Sequence, residues 1–146
     1  MIALGVLPPL VLSACKGDQL PKTATVIKIT ITDEKGIPFE NVSFRFYGYR
    51  SFGGSAAGGG SKEDTFRIEK LSDKLGKVEF SQIVPENTME VYLLITGAVG
   101  INFDKYTIQS QKGGVNVGER TTKIGIYPGS LTLRETNEYK VTLTKK

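Results

Sequence analysis

The 146 residues contain no histidine, and Cys15 is the sole cysteine. These two facts remove Ser-His and Cys-His nucleophile arrangements and any imidazole metal site. A carboxylate pair can still do acid–base work. However, Asp33-Glu34, Glu63-Asp64 and Glu135 fall in turns or at outward strand positions, where solvated surface is the expectation. Calcium would need an oxygen-rich loop, and these pairs are too sparse for one. No metal or cofactor is expected, and the chain reads as non-enzymatic.

Gly53 to Lys62 (Gly-Gly-Ser-Ala-Ala-Gly-Gly-Gly-Ser-Lys) is the one low-complexity segment. A phosphate-cradling loop needs Gly-Lys-Ser/Thr opening a helix. Here Ser61 separates Gly60 from Lys62, and strand-like sequence follows. The composition is instead that of a flexible linker, able to order on a partner. Tyr47, Tyr49 and Phe52 lead into it and Lys62 closes it, so these four are the candidate binding residues. The competing role for the aromatics is packing in the core or at a strand edge.

Met1 to Ala14 carries no charge and is mostly Leu, Val, Ile, Ala and Pro. It is too short for a helix spanning ~30 Å of hydrocarbon, which takes about 20 residues. Its length suits the apolar core of a secretory signal, ending at the small residues Ser13 and Ala14. Pro8-Pro9 argues against a regular helix or a central strand. No Lys or Arg precedes the run, where such signals carry a basic segment. Leu12-Ser13-Ala14-Cys15 resembles the lipobox of bacterial lipoproteins at all four positions. That resemblance implies cleavage before Cys15, a diacylglycerol thioether on its sulfur and acylation of the new amino group. One chain anchors marginally and two or more anchor stably, at ~0.8 kcal/mol per buried CH₂. Lys16 to Lys22 then forms a polar tether. The lipoprotein resemblance, with Lys16 rather than Asp after the cysteine, implies an outer-membrane location, facing the periplasm or the surface.

The net charge is +4, with Lys and Arg spread among Asp and Glu. A nucleic-acid binder would cluster its basic residues on one element, so no nucleic-acid partner is expected. The organisation is a signal over 1–14, lipidated Cys15 with tether over 15–23, and one domain over 24–146. From Thr25 the apolar residues alternate: Ile27, Ile29 and Ile31 against Lys28, Thr30 and Thr32. This is a half-buried strand. A second strand runs from Val42 to Tyr49, with Val42, Phe44 and Phe46 inward. Further strands are expected at Thr65–Leu71, Lys77–Val84 and Met89–Thr96, the last placing Met89, Val91, Leu93 and Ile95 on one face and Tyr92 and Leu94 on the other. Short strands are expected at Ile101–Phe103, Tyr106–Ile108 and Lys123–Tyr127, with turns at Lys112-Gly113-Gly114 and Pro128-Gly129. The chain closes on alternating Tyr139, Val141 and Leu143. About seven short strands with regular turns indicate an all-β, antiparallel sandwich.

Two passages sharpen this. Val26 to Phe44 has a strand, the polar turn Asp33-Glu34-Lys35-Gly36, Pro38 and a second strand from Val42. Ser72 to Phe80 has a polar turn with Gly76 and a strand ending in Phe80. Both resemble the carboxypeptidase regulatory-like, or transthyretin-like, family, which implies an Ig-like/transthyretin-like β-sandwich and says little about function. Tyr127-Pro128-Gly129-Ser130 resembles the terminal Tyr-Arg-Gly-Ser of hydroxyisourate hydrolases. Those enzymes use active-site histidines that this chain lacks, so a Pro-Gly turn is the reading. The functional expectation is a lipid-anchored interaction or accessory module on the Gram-negative cell envelope, held to the membrane by Cys15 and engaging a protein partner. The alternative is a small-ligand or glycan-binding domain.

Overall fold

A computed structural model describes residues 22–54, 58–120, 125–126 and 130–146. The signal, Cys15 and the tether up to residue 21 lie outside the described residues. So do positions 127–129, the first three of the Tyr-Pro-Gly-Ser stretch.

Nine strands run through the described residues: β1 (Thr25–Asp33), β2 (Val42–Phe52), β3 (Ser61–Leu71), β4 (Lys77–Gln82), β5 (Glu90–Ala98), β6 (Tyr106–Lys112), β7 (Val115–Arg120), β8 (Gly125–Ile126) and β9 (Thr136–Lys145). They form a five-stranded sheet ordered β4-β1-β9-β6-β7 and a four-stranded sheet ordered β3-β2-β5-β8. The two sheets pack as a β-sandwich, and the alternation seen in the sequence decides which residues lie between them. Ile27, Ile29 and Ile31 of β1 meet Phe44 and Phe46 of β2, Phe80 of β4, Leu93 of β5, and Val141 and Leu143 of β9 in one buried cluster.

The all-β, antiparallel-rich sandwich is the one the alternation indicates, with Val115–Arg120 a further strand whose few apolar residues do not reveal it and with one parallel pairing, β1 with β9, from Val26↔Thr136 to Asp33↔Leu143. Several local expectations need correction. Ile101–Phe103 is not a strand, since Phe103–Lys105 forms a 3₁₀ turn capped by the Asn102 side chain. Lys62 is not in a loop: β3 starts at Ser61, and Ser61 and Lys62 pair with Phe52 and Ser51. Met89 precedes β5 and is 66% exposed, because the strand begins one residue later.

Two Asp-x-x-Gly turns close one pole with the same geometry. Asp33 Oδ1 accepts from the amides of Lys35 and Ile37, each at 2.8 Å, and Asp73 Oδ1 accepts from those of Leu75 and Lys77, each at 2.9 Å. In each turn the glycine amide donates to the aspartate carbonyl. Gly36 and Gly76 both have positive φ, +84° and +69°. Their surroundings differ. A Cβ on Gly36 would meet nothing within 4 Å, whereas one on Gly76 would lie 2.3 Å from the Ile31 carbonyl oxygen, backbone that cannot yield.

This contrast makes a stability prediction. Gly36→Ala should cost about 1 kcal/mol, the left-handed strain alone. Gly76→Ala should cost at least about 3 kcal/mol, because overpacking adds to that strain. Urea unfolding of both variants measures the difference, and equal midpoints would contradict the close approach.

Candidate functional site

Strand β2 presents Tyr47 and Tyr49 on the outer face of the four-stranded sheet. The register sets Tyr47 beside Tyr92 of β5 and Tyr49 beside Glu90. Cross-strand aromatic neighbours of this kind approach closely enough to stack. The Tyr47 and Tyr92 rings lie 5.4 Å apart at 20°, and those of Tyr49 and Tyr92 lie 5.7 Å apart at 11°. On the other side β3 supplies cations. Lys62 Nζ sits 4.4 Å from the Tyr49 ring centre and donates to its hydroxyl at 3.1 Å. The Arg67 guanidinium lies 5.8 Å from the Tyr47 ring centre and pairs with Asp64. Each ring therefore has two partners, and Tyr49 is only 8% exposed although it stands on an outer face.

One irregularity permits this arrangement. The β2–β3 register slips at Gly48/Tyr49, where Thr65 is the extra residue between Phe66 and Asp64. Such a bulge re-aims side chains and sharpens twist. Gly48 allows the inner side to close, since a Cβ there would fall 2.5 Å from Phe66 and 2.6 Å from Thr88.

The hydroxyl ends are polar and linked. Tyr92 donates a short hydrogen bond to Glu90, and the Tyr49 and Tyr92 hydroxyls are 3.5 Å apart. The bond to the Glu90 carboxylate, then that to Tyr49, push the Tyr92 phenol well above its ordinary value. For Tyr49 the bond with Tyr92 pulls downward, but Glu90 and burial outweigh it and the net shift is upward. Glu90 is held below the usual carboxylate range by bonds from Tyr92 and Tyr49, with Lys62 adding a smaller attraction. The phenols stay neutral and the carboxylate ionised. The set offers hydrogen bonding rather than proton transfer.

Of the four residues singled out in the sequence, the structure gathers Tyr47, Tyr49 and Lys62. Phe52 lies farther along, 51% exposed, beneath the guanidinium of Arg50 at 5.6 Å. Arg50 itself pairs with Glu63. Tyr92, Glu90 and Arg67 belong to the cluster and were not singled out. The one signal for Tyr92 is a tyrosine at an outward position of β5 to match Tyr47 and Tyr49 at spacing two on β2, which has meaning only once the register is known; Glu90 and Arg67 carry no such signal. Of the carboxylates considered for catalysis, Asp33 caps a turn, Glu63 pairs with Arg50 and Asp64 with Arg67, while Glu34 and Glu135 are exposed. Among the described residues no three His, Cys, Asp or Glu side chains are grouped to hold a metal, and no helix is long and apolar enough to cross a membrane.

No protein-family model and no curated protein matches this sequence. Among solved structures the chain is similar to the major pilin protein (T3.2) from Streptococcus pyogenes serotype GAS13637, with 11% identity and a TM-score of 0.40. The match covers 85% of this chain but 46% of the pilin, so the chain spans less than half of that protein's length.

Because both phenols are raised in the folded state, the stability they contribute is complete below about pH 10, the unfolded phenol value, and is lost as pH rises above it. Glu90→Gln removes the charge that retains the Tyr92 proton. Ultraviolet titration of that variant should show one phenol ionising at lower pH than in the parent chain. An unchanged titration curve would refute the Glu90–Tyr92 link.

Proposed function

We propose that this chain is a non-enzymatic, lipid-anchored envelope protein whose β2–β3 hairpin captures a protein partner. The observation that carries the reading is the tyrosine stack at the base of the Gly-rich connection. Tyr47 to Ser61 reads Tyr-Gly-Tyr-Arg-Ser-Phe-Gly-Gly-Ser-Ala-Ala-Gly-Gly-Gly-Ser. Tyrosine supplies large amphipathic contact area at low entropic cost, while Ser and Gly supply adaptable hydrogen bonding, the composition of antibody paratopes. A stacked aromatic base beside a connection rich in Gly and Ser suits recognition of another protein surface.

The glycan alternative is less well supported. Sugar binding by stacking needs a free ring face, and here each ring of the cluster already has two partners. Lipidation at Cys15 and outer-membrane placement rest on the Leu-Ser-Ala-Cys lipobox and Lys16. The paired Asp-x-x-Gly turns are compatible with the carboxypeptidase regulatory-like resemblance, which stays a proposal about family.

Phe52 pairs with Ser61, so residues 53–60 cannot simply be removed; a two-residue Asn-Gly turn must replace them. That exchange should abolish capture of the native partner and leave the melting temperature nearly unchanged. Undiminished pull-down by the exchanged chain would defeat the proposal. For the anchor, Cys15→Ala should move the protein from the membrane fraction to the soluble fraction, and continued membrane association would mean the anchor has been misassigned.

A further inference from the structure

At the pole of the sandwich where β1 begins, Lys22 and Thr23 line a cleft of about 150 Å³ that they share with Ile83, Glu86, Leu133 and Arg134. Ile83 and Leu133 are large apolar side chains, yet they are 47% and 44% exposed. Met89 follows the cleft residue Thr88 and is exposed as well. The turn that carries Leu133 is fastened on both sides. The Asn137 side chain bonds the amide and the carbonyl of Thr132, and Thr25 Oγ1 accepts from the Arg134 amide at 2.9 Å. Arg134 nevertheless has a φ of +64°, a left-handed conformation that side chains disfavour and glycine adopts freely. The turn therefore keeps, at a conformational cost, an exposed leucine and an exposed arginine beside the point where the chain enters the domain. Charge at this pole is nearly balanced: Lys22 meets Glu86 at 3.7 Å, and the exposed Glu135 follows Arg134. Among the described residues no ion pair engages Arg134 itself.

We propose that this pole is a membrane-contact surface, with Ile83, Met89 and Leu133 set into the interfacial layer of a phospholipid bilayer and the Arg134 guanidinium on a lipid phosphate. The occupant follows from where the chain before Lys22 leads. Cys15 lies seven residues ahead of Lys22, and even a fully extended chain of that length reaches only about 25 Å at ~3.5 Å per residue. The contact thus rests on the reading that Cys15 carries the lipid, which keeps the bilayer within that reach of the cleft. The opposite pole also exposes Ile37, Leu75 and Val99. It lies beyond the far end of the nine-residue β1, about 30 Å from Lys22 at ~3.3 Å per residue, farther than the tether allows. Distance therefore selects the Leu133 pole. Apolar side chains at the boundary of headgroups and acyl chains gain in proportion to the area they bury. An arginine among them lays its stem on the apolar layer and its head on phosphate, which it bonds in bidentate fashion. With charge nearly balanced, apolar contact carries the binding and anionic lipid adds only modestly to it.

The test attaches an environment-sensitive fluorophore to an introduced cysteine in the full chain carrying Cys15→Ala, which leaves one thiol and no lipid. The reporter sits at Met89→Cys or, as the control on the opposite pole, at Leu75→Cys. Three side chains give marginal, reversible binding, too weak to survive fractionation, so the release expected of Cys15→Ala stands and binding is read at equilibrium with excess lipid. On mixed phosphatidylethanolamine–phosphatidylglycerol vesicles the Met89 reporter should shift to the blue and be quenched by spin-labelled lipid, while the Leu75 reporter should do neither. Ile83→Asp with Leu133→Asp should weaken partitioning of the Met89-labelled chain by about tenfold or more. Arg134→Gly should weaken it by a smaller factor without lowering the melting temperature, because glycine relieves the left-handed backbone. That variant separates lost contact from lost folding. Residues 1–14 are common to every chain, so binding through them alone would leave the double variant undiminished, and that result would overturn the proposal. So would equal shifts at both poles, or no shift at Met89. A Met89 shift that grows with protein concentration without vesicles would assign the patch to a second copy and overturn it too. Because no chain in this test carries Cys15, its failure leaves the anchor reading intact, and failure of the anchor reading leaves these vesicle measurements intact.

Discussion

The sandwich closes through a single buried carboxamide. Asn137 has no exposed surface. Its Nδ2 donates to the carbonyls of Thr132 at 2.8 Å, Glu135 at 3.1 Å and Val26 at 3.3 Å. Its Oδ1 accepts from the Thr132 amide at 2.8 Å and from Lys112 Nζ at 2.7 Å. One side chain thus satisfies the irregular 130–135 segment and links β1, β6 and β9. Removing it would strip these part-buried groups of a partner and leave the Asn137 position itself a buried gap, so the junction would weaken. Thr25 adds to the same junction by accepting from the Arg134 amide, so the first and last strands can run side by side in parallel.

That closure separates two poles with different tasks. At one pole the paired Asp-x-x-Gly turns are braced by Ser72, whose hydroxyl accepts from the Val42 amide and donates to the Phe39 carbonyl. At the other pole β2 and β3 extend past the rest of the sheet toward the Gly-rich connection. The turn-bearing end holds the strands in register, and the opposite end presents the tyrosine cluster. Strand β3 has a neighbour on one side only. It carries the devices that keep such an edge from recruiting stray strands: a bulge at Thr65, alternating charges, and Lys70 reaching to the Glu79 carbonyl at 2.8 Å.

Much of this architecture was legible in the chain. The alternation of Ile27, Ile29 and Ile31, and of Val42, Phe44 and Phe46, named strands and inward faces because one buried side forces period two. Asp33 and Asp73, each three residues before a glycine, marked the turns. The register was not legible. Tyr92 could be placed on a face, but nothing local says that Tyr47 and not Arg45 stands beside it. Strand β7 stayed hidden because Val115-Asn116-Val117-Gly118-Glu119-Arg120 lies at a sheet edge, where little burial is required.

By itself the sequence determined the strand-forming segments, the absence of histidine chemistry, and the Leu-Ser-Ala-Cys motif on which the anchor is proposed. These depend on composition and on neighbours a few residues apart. Only the tertiary structure decided the parallel pairing of β1 with β9 and the stacking of Tyr47, Tyr49 and Tyr92. Each of these joins residues from strands distant in sequence, and cross-strand register comes from how the whole core packs. Local propensity carries no record of it.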